Sequence, residues 1–288
     1  MNAKRTARVV AGVILLVIFG VYSYMRCTNW TKSSDVDKLI EEAAQDEPVY
    51  EPADGDGPTD APEEPEATPE ATPEPTPDPA SPEGKALARG LPAPPDIDIT
   101  SWEFVLVNGD NSIGQYVPPS LEYLGENQCP VDSRIAEPLI AFAQDAIDQG
   151  LPVYLSSGYR SYEAQAENFI RVCNNNGCTD GKGSDGLYIT MPAGCSEHQT
   201  ALCCDITDVY RATKKWQDVE PTETYQYMVK HCHEFGFILR YPNGKGDITG
   251  VMYEPWHYRY VGVEAATYIT ENGLTFEEFH QLYNGVAD

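Results

Sequence analysis

The hydrophobic pattern of this chain begins with one long apolar run and continues, much later, with short amphipathic segments. Residues 9–25 are 17 consecutive uncharged, mostly apolar residues, which is near the lower limit for a helix that spans a membrane. Lys4, Arg5 and Arg8 precede the run, and a basic flank of this kind stays in the cytoplasm. The pattern predicts a cytoplasmic tip and transmembrane signal-anchor over residues 1–26, with the rest of the chain extracytoplasmic.

A cleaved signal peptide is the alternative interpretation of the same run. Such a peptide ends in small residues that form the cleavage site. Here the apolar run ends in Tyr22-Ser23-Tyr24-Met25-Arg26, which lacks that pattern. We therefore favour an uncleaved anchor in the cell membrane.

Residues 27–96 form the second part of the pattern, in which apolar positions are scarce. Residues 46–83 contain 13 acidic residues, no basic residue and near-repeats of Pro-Glu-Ala-Thr. A segment with so little to bury and so much like charge stays extended and disordered. We expect an acidic linker that carries the following domain away from the membrane.

Short segments with helical or strand periodicity follow over residues 97–288. Residues 133–149 repeat apolar positions at helical spacing, and residues 202–206 form a short apolar run that is typical of a buried strand. The same criteria predict further strands at 102–107, 153–155, 237–241 and 258–261, and further helices at 162–173, 222–235, 263–272 and 275–283. The mixture lacks the regular alternation of a doubly wound sheet, so we predict one α+β domain.

The net charge of the chain excludes two classes of binding partner. The formal net charge is −26, and so acidic a surface repels nucleic acid and anionic lipid headgroups.

Seven cysteines follow Cys27, and the predicted export permits disulfides among them. Cys173 and Cys178 are the easiest local pair to imagine, but sequence does not give the connectivity. Because the number is odd, at least one thiol is free or pairs with another chain.

Three separated segments carry the residue types of a catalytic metal site. They are Ser157-Gly158-Tyr159-Arg160-Ser161, residues 196–205, and Glu254-Pro255-Trp256-His257. A catalytic zinc takes three nitrogen or oxygen ligands, and His198, Asp205 and His257 are of these types. Glu254 could then serve as general base and Arg160 could stabilise an oxyanion. Spacing alone leaves a second interpretation open, in which both histidines are ordinary structural residues.

In their residues and in their order along the chain, these three segments resemble the VanY-type D-alanyl-D-alanine carboxypeptidases of the M15 zinc metallopeptidase family. The matching patterns are Ser196-x-His198-x6-Asp205, Ser157-Gly158-Tyr159-Arg160-Ser161 and Glu254-Pro255-Trp256-His257-Tyr258-Arg259-Tyr260-Val261-Gly262, and the resemblance covers roughly residues 115–285. It implies a compact α+β fold, shared with the hedgehog signalling domain, in which helices pack against a small antiparallel sheet.

The resemblance also implies a role for each of seven residues. They are the Zn²⁺ ligands His198, Asp205 and His257, the catalytic base Glu254, the substrate-contacting Arg160, and the substrate-lining Gln165 and Ser196. The implied activity is a zinc-dependent D,D-carboxypeptidase that removes the terminal D-Ala from peptidoglycan stem peptides.

Two positions depart from the pattern of that family, which usually reads Ser-x-His-x-x-Gly-x-Ala-x-Asp. Ala201 stands at the Gly position and Cys203 at the Ala position. Alanine gives up easy access to positive φ, and Cys203 should share a strand face with Asp205 because side chains alternate along a strand. A thiolate there could compete for zinc, but we favour a disulfide or a small buried side chain. Neither change removes a ligand, so we expect activity to survive.

Other activities would use the same motifs. An L,D-carboxypeptidase that converts tetrapeptides to tripeptides and a peptidoglycan endopeptidase both remain open, because substrate choice depends on loops such as residues 173–195. An inactive wall-binding module is the alternative from another class. The presence of Glu254 and of all three predicted ligands argues against it.

Overall fold

The computed structural model describes residues 77–209 and 215–284. The predicted membrane anchor, residues 1–26, and residues 27–76 of the predicted linker lie outside the described residues. Across the two described segments, no helix is both long and apolar enough to cross a membrane. These segments have the predicted α+β architecture, with small antiparallel sheets and packed helices.

Two antiparallel sheets form the β-structure, a two-stranded hairpin and a four-stranded sheet with the order β3-β4-β6-β5. The strands are β1 (Leu121–Leu124), β2 (Cys129–Asp132), β3 (Tyr154–Ser157), β4 (Cys203–Thr207), β5 (Phe237–Leu239) and β6 (His257–Tyr260). The four strands of the larger sheet lie at the predicted apolar runs, with ends that differ by a few residues. β4 has a neighbour on each side, and all five of its residues are buried.

Eight α-helices and three 3₁₀ helices occur in the described residues. The α-helices are α1 (Pro82–Ala88), α2 (Ala136–Asp148), α3 (Tyr162–Asn176), α4 (Trp216–Val219), α5 (Glu223–His231), α6 (Gly246–Thr249), α7 (Val263–Glu271) and α8 (Phe276–Tyr283). The 3₁₀ helices are Trp102–Phe104, Glu197–Thr200 and Cys232–Phe235. Local sequence explains their ends: the Ser161 hydroxyl caps α3, and Thr275 and Glu278 form a capping box at α8. The helices predicted near α2, α3, α5, α7 and α8 are confirmed.

One face of the four-stranded sheet packs against α2. Phe142 of α2 is fully buried, and its ring lies 5.5 Å from the rings of Phe237 and Tyr258. Cys204 and Ile206 of β4 belong to the same apolar core. Because side chains alternate along a strand, Cys203 and Asp205 point to the opposite face.

A second core forms where α1, α7 and α8 meet. Ala86 of α1 is fully buried there with Ala266 and Phe279, and Arg89 donates a hydrogen bond of 2.9 Å to Oε1 of Gln281. The predicted linker extends to residue 96, so α1 lies inside it. The packed region therefore begins before residue 97, because the few apolar residues of this segment pack in the core formed with α7 and α8.

The strand predicted at residues 102–107 is wrong. Its first half is the 3₁₀ helix Trp102–Phe104, and the rest is irregular. The carbonyl oxygens of Glu103 and Val105 accept hydrogen bonds of 2.9 Å from Nη2 of Arg259. Side-chain donors thus satisfy backbone groups that a strand would have paired with a neighbouring strand.

No disulfide joins two cysteines of the described residues, so the predicted disulfides are not seen there. The Sγ atoms of Cys129 and Cys204 come within 3.9 Å of each other, inside the core beneath the sheet. Cys203 lies on the other face of β4.

Truncation of Phe142 tests the core that supports the sheet. We expect Phe142→Ala to lower the free energy of unfolding by about 3–5 kcal/mol, because it removes a buried ring and leaves a cavity. Ile140→Ala in the same helix is the matched control, since Ile140 is 49% exposed and its loss should cost under about 0.5 kcal/mol. Urea denaturation of both variants measures the difference, and equal losses would contradict the assignment of this core.

Candidate metal centre

The three predicted metal ligands meet on the face of the sheet opposite α2. The register of β4 and β6 pairs Asp205 with His257, and Oδ1 of Asp205 lies 3.0 Å from Nδ1 of His257. Oδ2 of the same carboxylate lies 3.4 Å from Nε2 of His198. The two imidazole rings are perpendicular, with centroids 5.0 Å apart. All three residues are buried, so the site is a compact cluster of nitrogen and oxygen donors.

His198 reaches this cluster from the 3₁₀ helix that precedes β4. The helix ends at Ala201, whose φ of 61° and ψ of 13° lie in the left-handed region. An L-residue other than glycine is strained there by about 1–2 kcal/mol, which explains the glycine in the family pattern. The buried methyl group of Ala201 offsets part of that cost. The chain turn is therefore kept, and His198 is presented to β4 despite the substitution.

A backbone carbonyl fixes the ring of His198. Nδ1 lies 2.7 Å from the carbonyl oxygen of Gly158, so Nδ1 carries a proton and Nε2 is the ring nitrogen that faces Asp205. Gly158 has no room for a side chain, because a Cβ would lie 2.0 Å from the carbonyl oxygen of Pro130 in β2. The N–H of Tyr159 donates to that same Pro130 oxygen over 2.6 Å. The β1–β2 hairpin thus supports the turn that holds His198.

His257 is oriented by Glu197, the residue directly before His198. Nε2 of His257 lies 3.2 Å from Oε2 of Glu197, which leaves Nδ1 facing Asp205. Oε1 of Glu197 accepts hydrogen bonds of 2.8 Å from Nε of Arg240 and from Nη1 of Arg259. Arg240 also donates to both carboxylate oxygens of Glu277, over 2.8 and 2.6 Å. The side chains of Glu197 and both arginines are fully buried.

Sequence reasoning missed this buried ionic cluster. Glu197 stood inside a motif, but only its neighbours Ser196 and His198 had assigned roles. The available signal was a charged residue within or next to an apolar strand, as Arg259 lies in β6 and Arg240 directly follows β5. A fully buried arginine needs a carboxylate partner. Arg240 and Arg259 therefore predict a buried carboxylate next to them.

The charges of the cluster shift the pKa values of its members. Burial alone would raise the pKa of Glu197, but Arg240, Arg259 and the hydrogen bond with His257 hold it well below its usual range. Burial alone would lower the pKa of His257, but Cys203 and the hydrogen bonds with Asp205 and Glu197 raise it well above its usual range. The negative groups around His257 therefore favour its protonated form.

The donor set fits a zinc ion. Nε2 of His198, the carboxylate of Asp205 and Nδ1 of His257 are three ligands of the types that catalytic zinc uses. Each histidine is hydrogen-bonded through its other ring nitrogen, to the Gly158 carbonyl and to Glu197, and such outer contacts are typical of zinc sites.

Glu254 lies at the edge of this cluster. Its Oε2 atom is 3.8 Å from Nδ1 of His257, and its side chain is 18% exposed. The backbone N–H of Glu254 donates a hydrogen bond of 3.1 Å to the carbonyl of Tyr241. A carboxylate in this position can reach both the buried ligands and solvent.

Arg160 lies on the turn after β3, and Gln165 lies near the start of α3. Nη1 of Arg160 donates to Oε1 of Gln165 over 2.7 Å, and Nη2 donates to Oγ of Ser157 over 3.2 Å. The backbone N–H of Arg160 donates to the carbonyl of His198 over 3.0 Å. Gln165 and Ser196 are both buried. The structure thus places Arg160 beside the 3₁₀ helix that carries His198, with a side chain fixed by two neighbours.

Comparison with known proteins identifies the family. Residues 128–263 match the family model described as VanY, D-alanyl-D-alanine carboxypeptidase. A D-alanyl-D-alanine carboxypeptidase of Enterococcus faecalis is 37% identical over 188 residues, which are 63% of this chain and 67% of that protein. The chain belongs to the VanY family. The resemblance predicted from the three motif segments is confirmed.

Two solved structures agree with this membership. A vancomycin-resistance D,D-pentapeptidase VanY mutant in complex with Zn(II) is 34% identical, with a TM-score of 0.52, over 63% of this chain and all of that one. The LD-carboxypeptidase LdcB is 31% identical, with a TM-score of 0.55, over 64% of this chain and 89% of that one. This VanY-family chain is therefore similar in fold to enzymes of both specificities.

Replacement of Glu197 tests whether the ionic cluster supports the site. Glu197→Gln leaves Arg259 buried without its carboxylate and Arg240 with Glu277 alone, so we expect the free energy of unfolding to fall by about 3–5 kcal/mol. A glutamate whose pKa is lowered by folding stabilises the protein above its unfolded value near 4.5 and loses this effect as the pH falls below it. The difference between wild type and variant should therefore be largest at neutral pH and shrink below about pH 4.5.

Denaturation in the presence of a chelator measures this difference without a contribution from bound metal. Glu234→Gln is the matched control, because Glu234 pairs with His231 on the surface and its side chain is 53% exposed. The control should lose under about 1 kcal/mol. A loss no larger for Glu197→Gln than for the control would contradict the supporting role of the cluster.

Proposed function

We propose that this protein is a zinc-dependent D,D-carboxypeptidase that removes the terminal D-Ala from peptidoglycan stem peptides. The observation that carries the proposal is the convergence of His198, Asp205 and His257 on one point, with Glu254 3.8 Å from His257. Membership of the VanY family supports the substrate class.

His198, Asp205 and His257 are the residues that would hold the zinc ion, through Nε2, the carboxylate and Nδ1. When bound, zinc supplies Lewis-acid polarisation of the substrate carbonyl and lowers the pKa of water. Glu197 and the Gly158 carbonyl keep the two imidazoles in the tautomers and orientations that this role needs.

Glu254 is the proposed general base and acid. Its carboxylate takes a proton from the attacking water and then gives that proton to the amine of the departing D-Ala. Its partial exposure beside the buried ligands suits this exchange, because the group must meet both solvent and the scissile bond.

Arg160 is the proposed cation for the negative charge that develops on the carbonyl oxygen. Its hydrogen bonds to Gln165 and Ser157 hold the guanidinium before substrate arrives, so little reorganisation is needed. We assign Gln165 to the wall of the substrate site, where its main role is to position Arg160. Ser196, buried directly before the Glu197–Thr200 helix, is assigned to the same wall.

An L,D-carboxypeptidase is the second candidate function. The observation in its favour is the structural similarity to LdcB, whose TM-score is as high as that of the VanY structure. An endopeptidase that cuts within the stem or a cross-bridge would use the same catalytic groups. All three activities share the metal ligands and Glu254, so they differ only in which peptide bond is presented to them.

We further propose that residues 1–26 anchor the protein in the cell membrane and that the acidic segment after them serves as a spacer. The apolar run of residues 9–25 and its basic flank support this arrangement. An extracytoplasmic position would bring the site to peptidoglycan. It would also permit disulfide formation under oxidising conditions, for which Cys129 and Cys204 are one candidate pair.

Glu254→Gln tests the proposed base. The change keeps the size of the side chain but removes proton transfer, so we expect kcat to fall by about 10²- to 10⁴-fold while zinc content stays near wild type. Release of D-Ala measures turnover, and elemental analysis measures zinc. Glu264→Gln, at an exposed position of α7, is the charge-matched control and should keep full activity. Near-normal turnover of Glu254→Gln would remove this residue as the base.

Defined muropeptides test both the substrate and the metal requirement. The full-length protein is incubated with pentapeptide, tetrapeptide and cross-linked forms, and the products are analysed by mass spectrometry. We expect loss of one alanine from the pentapeptide, abolished by a chelator and restored by zinc. Loss of alanine from the tetrapeptide alone would select the L,D activity, and cleavage of cross-links alone would select the endopeptidase. Full activity after removal of metal would refute the mechanism.

A further inference from the structure

Cys203 lies beside the proposed metal ligands, on the same face of β4 as Asp205. It pairs across the sheet with Arg259, two residues along from the pair that Asp205 forms with His257. Its side chain is fully buried. The family pattern has an alanine here, so the sulfur is a feature that this chain adds to the site.

The sulfur is within reach of both histidines. One ligand atom each from His198, Cys203 and His257 lie within 4.8 Å of one another, and all three residues are buried. Donors that share one tetrahedral ion are about 3.5 Å apart, as follows from bond lengths near 2.0 Å to nitrogen and 2.3 Å to sulfur. Small side-chain rotations would therefore bring the three atoms to bonding distance of a common ion.

We propose that Cys203 can take the place of Asp205 as the third protein ligand, beside His198 and His257, which keeps a fourth position open and makes this site prefer thiophilic divalent metals more strongly than an alanine-containing site would. Binding converts the thiol to a thiolate with a bond from sulfur to metal, and the thiol proton passes to solvent. Soft thiolate donors select ions such as Cd²⁺ over harder ions. This inference rests on the metal centre of the proposed function.

Two other roles for the sulfur make different predictions. A buried space-filling thiol would leave the metal spectrum unchanged when it is replaced. A disulfide would leave no thiol to bind metal, but Cys203 carries a free thiol. Cys204, the next residue, faces the apolar core near Cys129. Cys204 is therefore a matched control for the effect of removing one buried sulfur from β4.

Cobalt substitution tests the sulfur–metal bond directly. The full-length chain is loaded with Co²⁺, and its near-ultraviolet absorption is recorded. We expect a thiolate-to-cobalt charge-transfer band in wild type and in Cys204→Ala, and no such band in Cys203→Ala or Cys203→Ser. Absence of the band from wild type, or its persistence in both Cys203 variants, would overturn the proposal.

Cadmium affinity provides an independent measurement. Removal of the sulfur should weaken Cd²⁺ binding by about 10-fold or more, the scale on which changes around a metal site alter affinity, and should weaken Zn²⁺ binding less. Equal effects on both metals would contradict the thiophilic preference. The two hypotheses fail separately: a wild-type protein with the cobalt band but no peptidase activity would refute the proposed function, whereas active protein without the band would refute only the sulfur ligand.

Discussion

The carboxylate of Glu197 is the group on which the geometry of the site depends. It is fully buried and receives hydrogen bonds from Arg240 and Arg259 through one oxygen, while the other oxygen faces Nε2 of His257. Three charges removed from water are tolerable only when every one is paired and hydrogen-bonded. Because Nε2 of His257 is engaged in this way, only Nδ1 is left to face Asp205 across the sheet. An ionic cluster beneath the site thus sets the orientation of a ligand within it.

The fold was predictable from the sequence where the residues of a helix or strand determine that element by themselves. Apolar runs located the strands of the larger sheet, and helical periodicity located α2 and α3. Residues 102–107 have the composition of a strand, but composition does not reveal whether a partner strand exists. Here the guanidinium of Arg259, more than 150 residues away, takes the carbonyls instead. Sequence did not show that packing begins before residue 97 for a related reason, since Ala86 shares a core cluster with helices at the far end of the chain.

The site was predictable to the extent that it resembles a known pattern. Spacing alone did not distinguish His198 and His257 from structural histidines, and the match of three segments made the difference. Glu197 lay between two residues of that pattern, yet its role depends on Arg240 and Arg259, which are 43 and 62 residues further along. The position of Cys203 on the face of Asp205 followed from strand alternation. Its nearness to His198 did not, because that distance depends on how the 3₁₀ helix folds back over β4.

Gly158 lies close to the β1–β2 hairpin. Part of the constraint that the site puts on sequence evolution therefore falls on the hairpin, which none of the three motif segments includes. The turn at Gly158 contacts Pro130 on one side and His198 on the other, through carbonyl and amide groups that every sequence possesses. This contact therefore depends on the backbone path of the hairpin and not on the side chain at residue 130. Selection should act there on length and turn shape, so an insertion in this hairpin would alter metal binding in a chain whose ligand residues are all intact.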